Sequence, residues 1–152
     1  MPSPRFVAGT VSRLVLDTNV LVYLFDGDAP AKREASRALV EACFRREAEY
    51  SVSVQNLAEF SVVVTEKVRH PMPTDEVRRF VRAIADFDGW HVVGYGGATV
   101  DRALELRERH GVHFWDALLA ATMLEHGIDT IYSEDAPLSR VPGVTVVNPY
   151  RE

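Results

Sequence analysis

Apolar residues along the chain alternate between short runs and helical spacings, and that rhythm predicts most of the architecture. Val15 and Leu16 close a short apolar run, after which Val20, Leu21, Tyr23 and Leu24 recur at helical intervals, so Asp17-Thr18-Asn19 falls at a strand-to-helix junction. Asp26-Gly27-Asp28-Ala29-Pro30 reads as a turn. Ala31 to Ala48 then reads as a charged helix with Ala35, Ala38, Leu39, Ala42 and Cys43 on one inward stripe. Tyr50 to Val54 forms a second strand, and Gln55-Asn56 opens a helix carrying Leu57, Phe60, Val63 and Val64 inward, with Glu59 about one turn inside it. Pro71-Met72-Pro73 breaks the chain. Thr74 or Asp75 is expected to cap the next helix, in which Val77, Phe80, Val81, Ile84 and Phe87 share a face.

The second half repeats the pattern. His91 to Tyr95 reads as a third strand, Gly96-Gly97 as its turn, and Ala98 to His110 as a helix built on Val100, Ala103, Leu104 and Leu106 and stopped by Gly111. Phe114 to His126 is apolar almost all round, which predicts a central helix buried against a sheet and closed by Gly127, with Asp116 in its first turn. Thr130 to Ser133 and Val144 to Val147 supply two more strands, and Glu134-Asp135 stands where the first of them ends. Strands alternating with helices throughout predict an α/β sandwich around a mainly parallel, five-stranded sheet.

Composition narrows the class. With 152 residues, 47% hydrophobic and 26% charged, the chain suits one globular domain, with an ordered part expected over about residues 12–149. Met1 to Ser12 carries no long apolar core, and no run approaches the ~20 apolar residues that cross a bilayer, so neither a signal peptide nor membrane attachment is expected. A single cysteine, Cys43, excludes an intrachain disulfide and suits a reducing, cytoplasmic setting. The net charge of −5 argues against a protein that holds nucleic acid by bulk electrostatics, but not against a nuclease, because metal-assisted phosphodiester cleavage concentrates carboxylates.

Those carboxylates carry the chemistry. Asp17 and Asp135 each end a predicted strand, which in a parallel sheet is one edge of the molecule, and Glu59 and Asp116 lie near the starts of helices that begin at that edge. Taken singly, Asp17 reads as a helix cap and Glu59 as a solvated helix acid. Asp116 sits among Phe114, Trp115, Leu118 and Leu119, where a carboxylate needs a partner, a cap or a metal. Four acids converging without a cation would repel one another, so convergence implies a bound divalent metal. Oxygen donors without a matching His or Cys cluster favour Mg²⁺ or Mn²⁺ over Zn²⁺. His113, three residues before Asp116, reads as a turn or capping histidine. Arg78, Arg79, Arg82, Lys67 and Arg69 read as a solvated face, with an RNA-facing rim as the alternative.

Four fragments in this order, Leu16-Asp17-Thr18-Asn19-Val20, Asn56-Leu57-Ala58-Glu59-Phe60, Phe114-Trp115-Asp116-Ala117-Leu118 and Ile131-Tyr132-Ser133-Glu134-Asp135, resemble the PIN-domain ribonucleases, most closely the VapC-type toxins of toxin–antitoxin pairs. The resemblance spans nearly the whole chain and implies a PIN-like three-layer sandwich. It also implies an acidic constellation of Asp17, Glu59, Asp116 and Asp135 supported by Thr18, Asn19 and Ser133. Mg²⁺- or Mn²⁺-dependent cleavage of single-stranded or looped RNA, leaving a 5′-phosphate and a 3′-hydroxyl, homodimerisation and silencing by a VapB-like antitoxin follow as implications of the same likeness. Glu134 could replace Asp135, since adjacent acids are not separated by spacing. The loop after Asp135, Ala136-Pro137-Leu138-Ser139-Arg140, departs from the His-Gly type of many relatives. Two rivals stand beside this reading: a non-catalytic PIN-like module that binds a partner protein, and a haloacid-dehalogenase-like phosphatase. The second wants an Asp two residues after its nucleophile, where this chain has Asn19.

Overall fold

The computed structural model describes residues 14–151; the expectations for Met1 to Ser12 lie outside the described residues. Five parallel strands, β1 (Leu14–Leu16), β2 (Tyr50–Ser53), β3 (Trp90–Val93), β4 (Thr130–Tyr132) and β5 (Thr145–Val147), form one sheet in the order β3-β2-β1-β4-β5. The helices are α1 (Thr18–Tyr23), α2 (Pro30–Phe44), α3 (Val54–Val62), α4 (Thr74–Asp86), α5 (Gly97–His110) and α6 (Phe114–Glu125). Alternation along β1 divides them into layers: Val15 joins a core built with Ala103 and Leu106 of α5 and most of α6, whereas Leu16 faces Val20, Val40, Phe60 and Ile84 from α1 to α4. This is the three-layer α/β sandwich expected, with α6 buried from Ala117 to Met123.

The central position of β1 places the junction after it. Leu14, Val15 and Leu16 are level with Thr130, Ile131 and Tyr132 of β4, and the Asp17 amide continues the ladder by donating to the Tyr132 carbonyl at 3.0 Å. Asp17 and Ser133 therefore leave the sheet side by side. On the other flank, β1 pairs with β2, whose last residue Ser53 caps α3.

Several expected boundaries shift, for local reasons. The second helix ends at Phe44, not Ala48, because Arg46 adopts a left-handed φ of 61° and closes a Schellman motif: its amide donates to the Cys43 carbonyl and that of Glu47 to the Ala42 carbonyl. Glycine usually marks such a stop, and arginine hides it. Arg46 is held there by Asp88 at 2.7 Å and by the Phe87 ring, 4.8 Å from its guanidinium. The expected inward Ala38 and Leu104 are exposed. Neither Thr74 nor Asp75 caps α4, since Pro73 occupies the cap position with no side-chain bond. The third helix begins at Val54, one residue early, and runs on into a π-helical turn, Val63–Lys67.

Candidate active site

The site starts from the capping chemistry of α3. Ser53 Oγ accepts from the Asn56 amide at 2.9 Å, while Asn56 Oδ1 accepts from the Ser53 amide at 3.2 Å and its hydroxyl at 2.8 Å. With Oδ1 fixed as the acceptor, Asn56 Nδ2 must present its hydrogens outward. They go to Asp17 Oδ1 at 3.2 Å and Thr18 Oγ1 at 3.1 Å. Asn56 is fully buried, so a helix cap doubles as a rigid hand on the first acid.

Asp17 accepts three hydrogen bonds: the Thr18 amide (2.8 Å) and Asn56 on Oδ1, and the Ser133 hydroxyl on Oδ2 at 2.6 Å. It caps α1 and belongs to the cluster at once, so the bland and the sharp readings are both realised in one side chain. Burial pushes its carboxyl up to about 6; the bonds from Ser133 and Thr18 oppose this, and the charges of Asp135 and Glu59 add to it. Asp116, half-buried at the start of α6, is likewise raised, first by burial and then by Asp135 and Glu59, against a lowering by His113. Asp17, Glu59, Asp116 and Asp135 thus share one electrostatic environment.

The remaining side chains are bound into the same network. Thr18 Oγ1 donates to Glu59 Oε2 at 3.2 Å, and Gln55 Nε2 donates to Glu59 Oε1 at 2.8 Å and to the Trp115 carbonyl at 2.9 Å, tying α3 to the start of α6. Asn19 Nδ2 donates to Ser133 Oγ and to Asp135 Oδ2, both at 3.2 Å, and the Asp135 amide donates to Ser133 Oγ at 3.0 Å. All seven expected site residues are therefore gathered at the C-terminal edge of the sheet. Asn19, where a phosphatase of the rival class would need a second Asp, holds Asp135 instead.

Glu134 points elsewhere. It is ion-paired with Lys32 and accepts from the Tyr23 hydroxyl at 2.5 Å, and these partners hold its carboxyl below the usual range. Of the adjacent acids, Asp135 is the one coupled to Asp17 and Asp116. His113 occupies the N-cap position of α6 without making a side-chain cap bond.

The chemistry of the donors fits a hard divalent cation: the acids are carboxylates only, and Asp17 and Asp116 are each disfavoured as anions by burial and by the charges of Asp135 and Glu59. Among the described residues no three carboxylate, imidazole or thiolate groups converge tightly enough to form a closed metal cage. Asn56 and Gln55 were not singled out in the sequence for a role in the site. The Ser53-to-Asn56 spacing at a strand end is a capping signal that could have found Asn56, and the four-residue spacing from Gln55 to Glu59 on one helix face could have found Gln55.

An open parallel sheet with acids gathered beyond its carboxyl edge defines an α/β protein with a crevice site at the strand ends. Residues 14–144 match the PIN domain model, and the chain belongs to the PIN domain family. Solved structures with the same fold include a toxin–antitoxin complex from Klebsiella pneumoniae (21% identity, TM-score 0.65, covering 91% of this chain and 99% of that one). VapBC2 from Rickettsia felis, bound to a DNA fragment from its promoter, is similar at 16% identity and TM-score 0.60, covering 89% of this chain and 97% of that one. VapC20 from Mycobacterium tuberculosis, a sarcin-ricin loop cleaving toxin, is similar at 17% identity and TM-score 0.61, covering 85% and 95%. No curated protein matches the chain.

Proposed function

We propose that this chain is a divalent-metal-dependent endoribonuclease, the toxin of a VapBC-type pair. The observation that carries the reading is geometric: Asp17, Glu59 and Asp135 are held in one hydrogen-bonded network with Thr18, Asn19, Asn56 and Ser133 at the carboxyl edge of the sheet, and Gln55 ties that network to the start of the helix bearing Asp116. Family membership and the toxin–antitoxin structures of the same fold support it.

Asp17, Asp116, Asp135 and Glu59 would hold Mg²⁺ or Mn²⁺, directly or through water. The chemistry such an ion would supply is activation of a water as nucleophile and neutralisation of charge on the scissile phosphate. The protein's own work is orientation. Ser133, Asn56 and the Thr18 amide fix both oxygens of Asp17, Asn19 holds Asp135, and Thr18 with Gln55 holds Glu59. No Ser, Cys or His is placed as a nucleophile in this scheme; the attack is hydrolytic and leaves the phosphate on one fragment.

In this reading the chain is a homodimer, a VapB-like antitoxin silences it, and it acts in the cytoplasm. No described helix is long and apolar enough to cross a membrane. The test is cleavage of a mixed RNA pool by purified protein, free of antitoxin, with Mg²⁺ or Mn²⁺, beside a chelator control and Asp17→Asn. Cuts that disappear in both controls are expected. A folded, metal-binding protein that cuts nothing in the pool moves the reading to a narrow RNA target; loss of metal binding as well moves it to a partner-binding module.

A further inference from the structure

Beside the acids runs a groove that the hydrolytic scheme leaves unused. Its volume is about 500 Å³, and it is lined by Gln55, Glu59, Val62, Lys67, Tyr95 and Trp115, among others. That is within the range of small-ligand sites. Two of its walls are exposed aromatic rings: Trp115 is 54% accessible and Tyr95 43%. Each comes from a segment tied to the sheet's reactive edge, Trp115 immediately before Asp116 in the first turn of α6 and Tyr95 just beyond β3. Trp115 is further fixed at its carbonyl by Gln55, whose other bond holds Glu59. The groove is therefore continuous with the acids through Glu59 and Trp115.

Its far end is cationic. Lys67 makes no salt bridge among the described residues. It closes the π-helical turn Val63–Lys67, which continues α3, so Glu59, Val63 and Lys67 all line one groove. A π turn is an uncommon element that recurs at functional sites. Exposed aromatic faces with a cation alongside form the standard recipe for unpaired nucleotides, since every base has a π-face and every linkage a phosphate.

We propose that this groove binds an unpaired nucleotide of single-stranded RNA next to the scissile phosphate, its base stacked on Trp115 and packed against Tyr95, its outer phosphate facing Lys67. The inference rests on the ribonuclease reading and deepens it. It assigns Trp115 as the residue through which the chain prefers unpaired over paired RNA, because a base inside a duplex has no free face to offer.

The test uses the full chain carrying Asp116→Asn, which is expected to bind without cutting, in chelator at low salt, and short labelled single-stranded RNA oligonucleotides. Trp90 is 4% exposed, so a change in tryptophan emission on binding reports Trp115. We expect emission quenching, about tenfold weaker binding in Trp115→Leu, near-complete rescue in Trp115→Phe, and a shallower salt dependence in Lys67→Ala. Equal affinity of Trp115→Leu, binding without an emission change, no binding at all, or equally tight binding of a duplex of the same sequence each overturns the proposal. So does a shift of Trp115→Leu from dimer to monomer in sedimentation, which would make the groove a contact between copies. The two readings separate: metal-dependent cutting by the unmutated chain with an indifferent Trp115 removes only the groove, whereas Trp115 quenching by RNA in a chain that neither binds Mn²⁺ nor cuts removes the nuclease and leaves the groove as a nucleotide-binding site.

Discussion

At the scale of single residues, Asp17 links stability to pH. Its carboxyl titrates near about 6 in the folded chain against 3.8 when unperturbed, so between those values the folded state holds more protons than the unfolded one. Asp17's own contribution to the stability of the metal-free protein should therefore fall as pH rises from about 4 through about 6, by up to about 3 kcal/mol, against the opposite trend of acids such as Glu134 whose carboxyl is held low. Urea denaturation in chelator across that range checks it, and Asp17→Asn should flatten the slope. Asp17→Asn and Asp116→Asn should each abolish cleavage in a metal-controlled assay while circular dichroism remains that of a folded chain; wild-type turnover in either variant would remove that acid from the site. Asn56 has no charge and should matter almost as much. Asn56→Ala leaves the Ser53 amide and hydroxyl without their acceptor and removes one of the two bonds to Asp17 Oδ1, so we expect a loss of about 1–3 kcal/mol in stability together with a fall in metal affinity, read by denaturation and by Mn²⁺ titration.

At the scale of elements, the distinction between what a local pattern records and what it conceals is clear in α2 and α5. Gly111 ends α5 in the left-handed region at φ 64°, with its amide on the Arg107 carbonyl, and the sequence announces that stop because glycine adopts the conformation freely. Arg46 performs the same turn in α2 unannounced, and the expected helix runs four residues too long. Gly111→Ala should cost about 1 kcal/mol through backbone strain alone, because no atom stands within 4 Å of the added methyl, and RNA cleavage should be unaffected. Thermal melts with a parallel cleavage assay test both halves of that statement. The π turn at Val63–Lys67 was equally invisible: its valines satisfy a helical reading whatever the winding. Leu104 shows the converse failure, an apolar residue at the right spacing that ends on the solvent side because α5 packs through Ala103 and Leu106.

At the scale of the molecule, the layer arrangement and the parallel sheet follow from alternating strand and helix signals, and the placing of four acids on one edge follows from the sheet being parallel. The partners that orient them were less legible. Thr18, Asn19 and Ser133 lie beside the acids in the chain, and Gln55 reaches Glu59 one helical turn on, but its bond to the Trp115 carbonyl spans 60 residues and exists only once α3 and α6 are packed. Binding of a divalent ion to this edge should raise the melting temperature in proportion to the logarithm of its concentration, since only the folded chain gathers the four acids. Differential scanning fluorimetry with Mg²⁺, in the unmutated chain and in Asp116→Asn, should show the shift in the first and its reduction in the second.

The sheet order β3-β2-β1-β4-β5 has a temporal meaning as well. The strand that leads into Asp17 precedes the other four, yet one of its two neighbours, β4, is made more than a hundred residues later, and Ser133 reaches Asp17 across 116 positions. A chain still being translated holds its first acid without the serine that orients it and without Asp135. Under the proposed function, the nuclease stays unarmed beside the ribosome that is making it until β4 and Asp135 have emerged.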